Sequence, residues 1–430
     1  MTPLPFTSLP LPRIPSATIR LPEHGAQEGG AVSCTSAFAA AIDTLAAQGG
    51  GTVVVPPGRW LTGPIRLRSH MRLHLKSGAL VLFSRDHADY QPPVLAHRAG
   101  CWVMNFHPFL YARDAAHIAV TGEGTFDGQG DAWWEWKKNE DGVRRLIDMV
   151  ARGVPACERI FGTVADAVRP NMLEFVNCRD VLLENVTIRD SPAYLVHPVG
   201  CENVTIRGLT VLGNGPNNDG IDPEYCKNVL IEDCLVDTGD DCICLKSGRD
   251  QDGWAESRPT ENVVIRRIRT RRGHGGVVLG SELSAGIRNV VVEDCDFTGT
   301  GRGIRIKSAP GRGGFVENIH LRNIRMADII DEAIIIHMDY GSVAKGQIGS
   351  AFQSSTLSPT RMRNILVEDV TCTGAGKALD ITGDAALSPE SITLRNLRLH
   401  AIRPATLTHA AGVTLENVQI TPPPPAATQP

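Results

Sequence analysis

The chain repeats itself, and that limits what it can fold into. Asn177-Cys178-Arg179-Asp180-Val181-Leu182-Leu183-Glu184-Asn185-Val186-Thr187-Ile188 returns as Cys201-Glu202-Asn203-Val204-Thr205-Ile206-Arg207. It returns again as Cys226-Lys227-Asn228-Val229-Leu230-Ile231-Glu232-Asp233-Cys234. Later copies begin at Asn262, Asn289, Asn318, Asn364 and Ser391, and the last is Gly412-Val413-Thr414-Leu415. Each copy is a short Val/Ile strand, a polar corner, then another short strand. Period-two alternation buries one face of each strand. One coil cannot bury that face alone, so coils must stack. The pattern predicts an all-β protein: a right-handed, single-stranded parallel β-helix of about nine to eleven coils. Asn suits the corners, because it tolerates left-handed φ/ψ and can ladder with the Asn of the next coil.

At 430 residues, length alone suggests two or three domains. Repeat arrays escape that rule, since each repeat touches only its neighbours. Residues 34–48 break the pattern: Phe38, Ile42 and Leu45 lie at helical spacing, and Gly49-Gly50-Gly51 ends the run. This predicts a helix capping the open end, with Thr52-Val53-Val54-Val55 as the first strand. Irregular insertions near 130–168, 249–260 and 341–360 are expected to be loops rimming a cleft. The net charge of −4 gives no argument for nucleic acid. No run of 18 apolar residues exists, so no membrane span is expected. The eleven cysteines are odd in number and include no CxxC pair, which argues against a disulfide framework and a thiolate metal site. Cys178, Cys201 and Cys226 fall 23 and 25 residues apart and should stack as small apolar residues. Met1-Thr2-Pro3-Leu4-Pro5 lacks a basic start followed by an apolar core, so no secretory signal is read there.

The chemistry lies in four short stretches: Asn217-Asn218-Asp219-Gly220, Gly239-Asp240-Asp241, Gly273-His274-Gly275 and Arg305-Ile306-Lys307. Asp219 and Asp240 are 21 residues apart, about one coil, and neighbouring coils lie ~4.8 Å apart. Three crowded acids repel one another, so at least one should have a raised pKa. A protonated acid beside ionised ones is what glycosidic cleavage requires. A regular strand would point Asp240 and Asp241 to opposite faces. Both join the site only if the chain bends, which Gly239 permits. Arg305 and Lys307 share one strand face and can clamp a substrate carboxylate. His274 between two glycines marks a backbone shaped for close approach. Arg266, Arg267, Arg269, Arg271 and Arg272 are either a solvated strand face or a lure for polyanions. Trp133, Trp134 and Trp136 either stack on sugar rings or pack beneath a loop.

The four motifs in this order, followed by Tyr340, resemble the polygalacturonase family of inverting glycoside hydrolases. The departure is Asn218, where that family has Thr. The flanks Gly220-Ile221-Asp222-Pro223 and Ile243-Cys244-Leu245-Lys246-Ser247-Gly248 are similar too. The resemblance implies hydrolysis of α-1,4-galacturonosidic bonds in polygalacturonate or oligogalacturonides; the insertions and the lack of a visible signal favour end-wise attack. It implies Asp240 as general acid, Asp219 and Asp241 as the pair that activates water, and His274 as support for the acid. Asn217, Arg305, Lys307 and Tyr340 would bind a pectic substrate. No metal or cofactor is implied, which separates this reading from the calcium-dependent lyases. A rhamnogalacturonan or xylogalacturonan specificity and a non-catalytic polysaccharide-binding β-helix are the competing readings. The expected division is an extension over 1–24, a catalytic β-helix over 25–421 and a disordered Pro-rich tail over 422–430. The resemblance implies a secreted or periplasmic location, the lack of a visible signal a cytoplasmic one. Nothing in the sequence specifies an oligomeric state.

Overall fold

In a computed structural model describing residues 6–340 and 359–422, the repeats wind into a right-handed parallel β-helix. Its coils lay strands on three faces. The first face carries Thr18–Arg20, Gly51–Val55, Met71–Leu75, Ala116–Gly122, Arg179–Glu184, Glu202–Arg207 and Lys227–Glu232. It continues with Thr260–Arg266, Ile287–Thr298, Phe315–Ala327, Arg361–Thr382, Glu390–Thr408 and Val413–Thr421. Each strand pairs in parallel with the next.

The inward positions form unbroken apolar columns. Val181, Val204, Val229, Val263, Val290, Ile319, Ile365 and Ile392 stack by register and are all buried. Burying each such side chain contributes about 1.5–3 kcal/mol, which a lone coil with its inner face open to water would forgo. At the corners Asn203, Asn228, Asn262, Asn289, Asn318 and Asn364 hold φ between 54° and 57°. Each amide after the first donates through Nδ2 to the preceding Oδ1 at 3.0 to 3.2 Å. Left-handed backbone and amide ladder thus come from the same side chain. Cys178, Cys201 and Cys226 are stacked and buried, as expected.

The capping helix runs Thr35–Ala47 with Phe38, Ile42 and Leu45 buried, matching the periodicity. Three expectations need correction. The first face holds thirteen strands, more than nine to eleven coils, because the early coils lack the corner Asn that marks the others. Thr52–Val55 is not the first strand: Thr18–Arg20 pairs with Thr52–Val54, and three residues are too few to show alternation. The insertion over 130–168 holds helices at Asp131–Trp134 and Asp141–Ala151, and that over 249–260 the helix Asp250–Glu256. Gly142, Leu146 and Val150, four residues apart, are the buried positions of the Asp141–Ala151 helix. Leu146 and Val150 pack with Ala96, Cys101, Val103, Phe161 and Val168, which seats the antiparallel hairpin Val94–Arg98/Cys101–Asn105. Most of the 341–360 insertion, and the tail beyond 422, lie outside the described residues.

The corner ladder makes a testable claim. Asn262→Ala removes two amide hydrogen bonds and leaves a Cβ in left-handed backbone, so it should destabilise by about 2–4 kcal/mol. Asn262→Gly loses the same bonds without the backbone strain and should be less destabilising. Denaturant unfolding of both variants checks the order.

Candidate active site

The site forms where the third face begins. Its strands Leu173–Val176, Val196–Val199, Ile243–Leu245, Gly275–Leu279 and Arg302–Lys307, with a bridge at Ile221, are stacked in register. Asp219 precedes Ile221, Asp241 precedes Ile243 and His274 precedes Gly275, so each enters one coil above the last. Backbone bonds lock this stacking: Gly220 N–H donates to the Asp241 carbonyl and His274 N–H to the Asp240 carbonyl, both at 2.9 Å.

Local sequence explains how each carboxylate is aimed. The turn before Asp219 is held by Asn218, which is fully buried. Its Nδ2 donates to the Ser191 and Ala193 carbonyls at 2.8 Å, and its Oδ1 accepts from Gly215 N–H at 2.9 Å. Asn218 is therefore structural. The chain bends at Gly239–Asp240, as the adjacent acids required. A Cβ on Gly239 would lie 2.7 Å from the Gly215 carbonyl oxygen, so only glycine lets the coils approach here. Gly273 has a φ of +142°, which brings His274 over Asp240.

The three acids have three different environments. Asp241 is 1% exposed; its Oδ2 receives Lys307 Nζ at 2.7 Å and its Oδ1 faces Arg305 Nη1 at 3.5 Å. Burial alone would raise its pKa, but those cations hold it well below the usual carboxylate range. Asp219 is 4% exposed, with Lys246 Nζ at 3.3 Å. Burial, then the Asp240 charge, push it up to about 7. Asp240 is the most open, its side chain 18% exposed. Its Oδ1 accepts from His274 Nδ1 and from Asp241 N–H, both at 2.9 Å. A proton on Asp240 therefore belongs on Oδ2, which points toward Asn217 Nδ2 at 3.5 Å. Bonding to Asp240 raises the His274 pKa. Tyr340 lies against the Arg305 and Lys307 head groups at 5.3 and 5.1 Å.

All eight expected site residues thus fall in one region. Arg305 and Lys307 do not stand free as a clamp; both converge on Asp241. Several contributors were not anticipated. Lys246 bridges Asp219, Asp222 and Glu282 at 3.3, 3.7 and 3.5 Å; a lysine beside Ile243-Cys244-Leu245 was the available signal. Asp222 is fully buried, and burial followed by the Asp219 charge raises its pKa well above the usual value. Arg98 and Arg169 reach the cleft from segments outside the repeat.

The cleft encloses about 330 Å³. Trp136 lines it; Trp133 is fully buried, and Trp134 Nε1 donates to the Ser191 carbonyl. Arg266, Arg267 and Arg272 pair with Glu232, Asp233 and Asp237 of the preceding coil, while Arg269 and Arg271 are exposed. Asp240, Asp241 and His274 place ligand atoms within 4.8 Å of one another, but Asp241 is already neutralised by two cations. His97, His197 and Glu224 form a second such group. There Glu224 Oε2 is hydrogen-bonded to His197 Nε2 at 3.0 Å and lies 2.9 Å from His97 Nδ1, all three side chains being buried.

The raised Asp219 pKa has a definite sign in stability. A carboxyl whose folded pKa exceeds its unfolded value stabilises fully below the unfolded value and loses that contribution as pH rises through about 7. This group should therefore make the native chain less stable as pH rises from about 4 to about 7, with a slope of up to roughly 1.4 kcal/mol per pH unit. Asp219→Asn, which does not titrate, should flatten that slope in melting curves taken across the range; an unchanged slope would contradict the assignment.

The comparisons agree with this geometry. The sequence profile of "Glycosyl hydrolases family 28" matches residues 162–420. A "Probable polygalacturonase" of Vitis vinifera is 34% identical over 317 residues, covering 71% of this chain. The chain spans 60% of that relative's length. An "Exo-poly-alpha-D-galacturonosidase" of Dickeya chrysanthemi is 28% identical over 93% of this chain and 70% of its own. The solved exopolygalacturonase of Thermotoga maritima superimposes with a TM-score of 0.90 at 35% identity, covering 96% of this chain and 94% of that one. Three carboxylates on consecutive coils, the fold that stacks them and a profile match over most of the chain lead to one conclusion: this chain belongs to glycosyl hydrolase family 28.

Proposed function

We propose that the protein hydrolyses α-1,4-galacturonosidic bonds in de-esterified polygalacturonate or oligogalacturonides, by acid/base catalysis with inversion. The observation that carries this is the unequal surroundings of the stacked carboxylates. Asp241 is buried against Lys307 and Arg305, while Asp240 opens to solvent beside His274. One group is thus fixed as a base and another is available as an acid, which inversion requires.

Asp240 is the proton donor in this reading. It is the most exposed acid, and its Oδ2 is left for the proton once Oδ1 has taken two donors. His274, whose pKa the bond to Asp240 raises, orients the carboxyl. Asp241 and Asp219 hold the water that attacks from the opposite face of the sugar. Arg305 and Lys307 share their charge between Asp241 and a galacturonate carboxylate, with Tyr340 flanking the same sugar. End-wise attack is favoured because inserted segments, Ala99 of the hairpin with Trp136, Lys137, Asn139 and Glu140, line the cleft.

Asp240→Asn should lower kcat about 10²- to 10⁴-fold with little change in substrate binding. Fresh product should be the β-anomer by NMR, and monomer should appear from the first turnover of polygalacturonate. Activity should survive EDTA without unsaturated products; a calcium requirement with such products would make the protein a lyase. Lys307→Met should lower kcat/KM by about ten- to a hundredfold. It should also move the acidic limb of the pH profile upward, since Asp241 would lose its closest cation. A clamp acting on substrate alone would leave that limb in place.

A further inference from the structure

Two guanidinium groups in the cleft have no assigned task. Arg98, at the end of the first strand of the hairpin, is 5% exposed; Arg169, just before the third-face strand Leu173–Val176, is 3% exposed. Among the described residues neither has a carboxylate within ion-pair distance. The site's acids use other cations: Asp241 has Lys307 and Arg305, and Asp219 has Lys246. Arg169 donates only to neutral oxygens: the Pro192 and Pro216 carbonyls and Asn217 Oδ1, at 2.7, 2.6 and 2.6 Å. Arg98 reaches the same Asn217 Oδ1 at 3.4 Å and lies 4.7 Å from the centre of the Tyr194 ring. Its Nε and Nη1 are buried without a hydrogen-bond partner among the described residues.

Two buried cations that share one neutral acceptor repel each other, and a buried donor without a partner is costly, more so when charged. The arrangement becomes favourable when an anion lies between them. Burial, with the Arg98 charge next, lowers the Arg169 pKa to about 9, consistent with a cation lacking a counter-ion. Position narrows the anion's identity. The register places Arg169 and Asn217 on coils before Asp240, and Arg305 and Lys307 on coils after it. A chain of acidic sugars crossing Asp240 carries a carboxylate on each side of the bond that is cut.

Resting on the hydrolytic reading above, we propose that Arg98 and Arg169 form a second carboxylate-binding subsite. It takes the uronate on the side of Asp240 opposite Arg305 and Lys307. Asn217 couples the two functions: its Oδ1 is turned toward the guanidiniums, so its Nδ2 faces Asp240. Because Arg98 belongs to the hairpin that borders the cleft, this subsite would also set where the polymer's end is seated.

The test uses Asp240→Asn protein and two digalacturonates, each methyl-esterified on one sugar only, with binding read by calorimetry. The parent should bind both esters about ten- to a hundredfold more weakly than the free diacid. Adding Arg98→Gln should weaken the diacid by a similar factor and abolish the penalty for one ester while leaving that for the other. Arg98→Lys, which keeps the charge, should recover part of the affinity, and an unchanged melting temperature shows that the fold persists. If Arg98→Gln leaves both ester penalties intact, or if the parent ignores esterification on one of the sugars, the subsite is overturned. Turnover is scored separately: a wild-type protein that fails to cut polygalacturonate defeats the hydrolytic reading, whereas the ester pattern still reports on Arg98.

Discussion

Parallel stacking of coils at one strand spacing is the constraint on which everything else depends. A strand that buries only one face has no stable existence alone, so each coil needs another above and below it. In-register hydrogen bonding then fixes which residues become neighbours. Val263 sits on Val229 and under Val290 because any slip of one residue would turn the apolar column toward solvent. The same register that builds the core carries Asp219, Asp241 and His274 to one place. Core and site are one geometric fact seen from inside and outside the solenoid.

The electrostatics of the site follow from that placement. Stacking brings carboxylates within a few ångströms in a setting with little water, so their free energies of ionisation separate. Asp241 receives the cations of the coils after it and stays charged. Asp219 receives burial and the repulsion of its neighbours, and keeps a proton near neutrality. Asp240, aimed by the bend at Gly239, stays in contact with solvent and with His274. The chemistry of acid and base therefore needs no unusual residue, only unequal surroundings for ordinary ones.

The departures from regularity matter as much as the repeat. Helices and a hairpin inserted between coils build the walls of the cleft, and they bring in Arg98, Trp136 and Arg169. Their own small apolar cluster around Leu146 and Phe161 holds them as a unit. A solenoid alone offers an open, shallow surface. These insertions give the surface depth, charge and an end.

The sequence by itself determined the architecture and most of the reacting groups. Period-two alternation, corner asparagines and coil-length spacing are local signals, and a solenoid is a fold in which local period and tertiary contact coincide. The capping helix was legible for the same reason, from Phe38, Ile42 and Leu45. What only the tertiary structure decided were contacts between segments that share no period. No spacing rule links Arg98 to Asn217, a separation of 119 residues, or turns Lys307 onto Asp241 rather than outward. The first coils were undercounted because they fold without the Asn signature. Which acid keeps its proton also lay beyond the sequence, because ionisation responds to burial and to distances of a few ångströms, and these exist only once the coils have stacked.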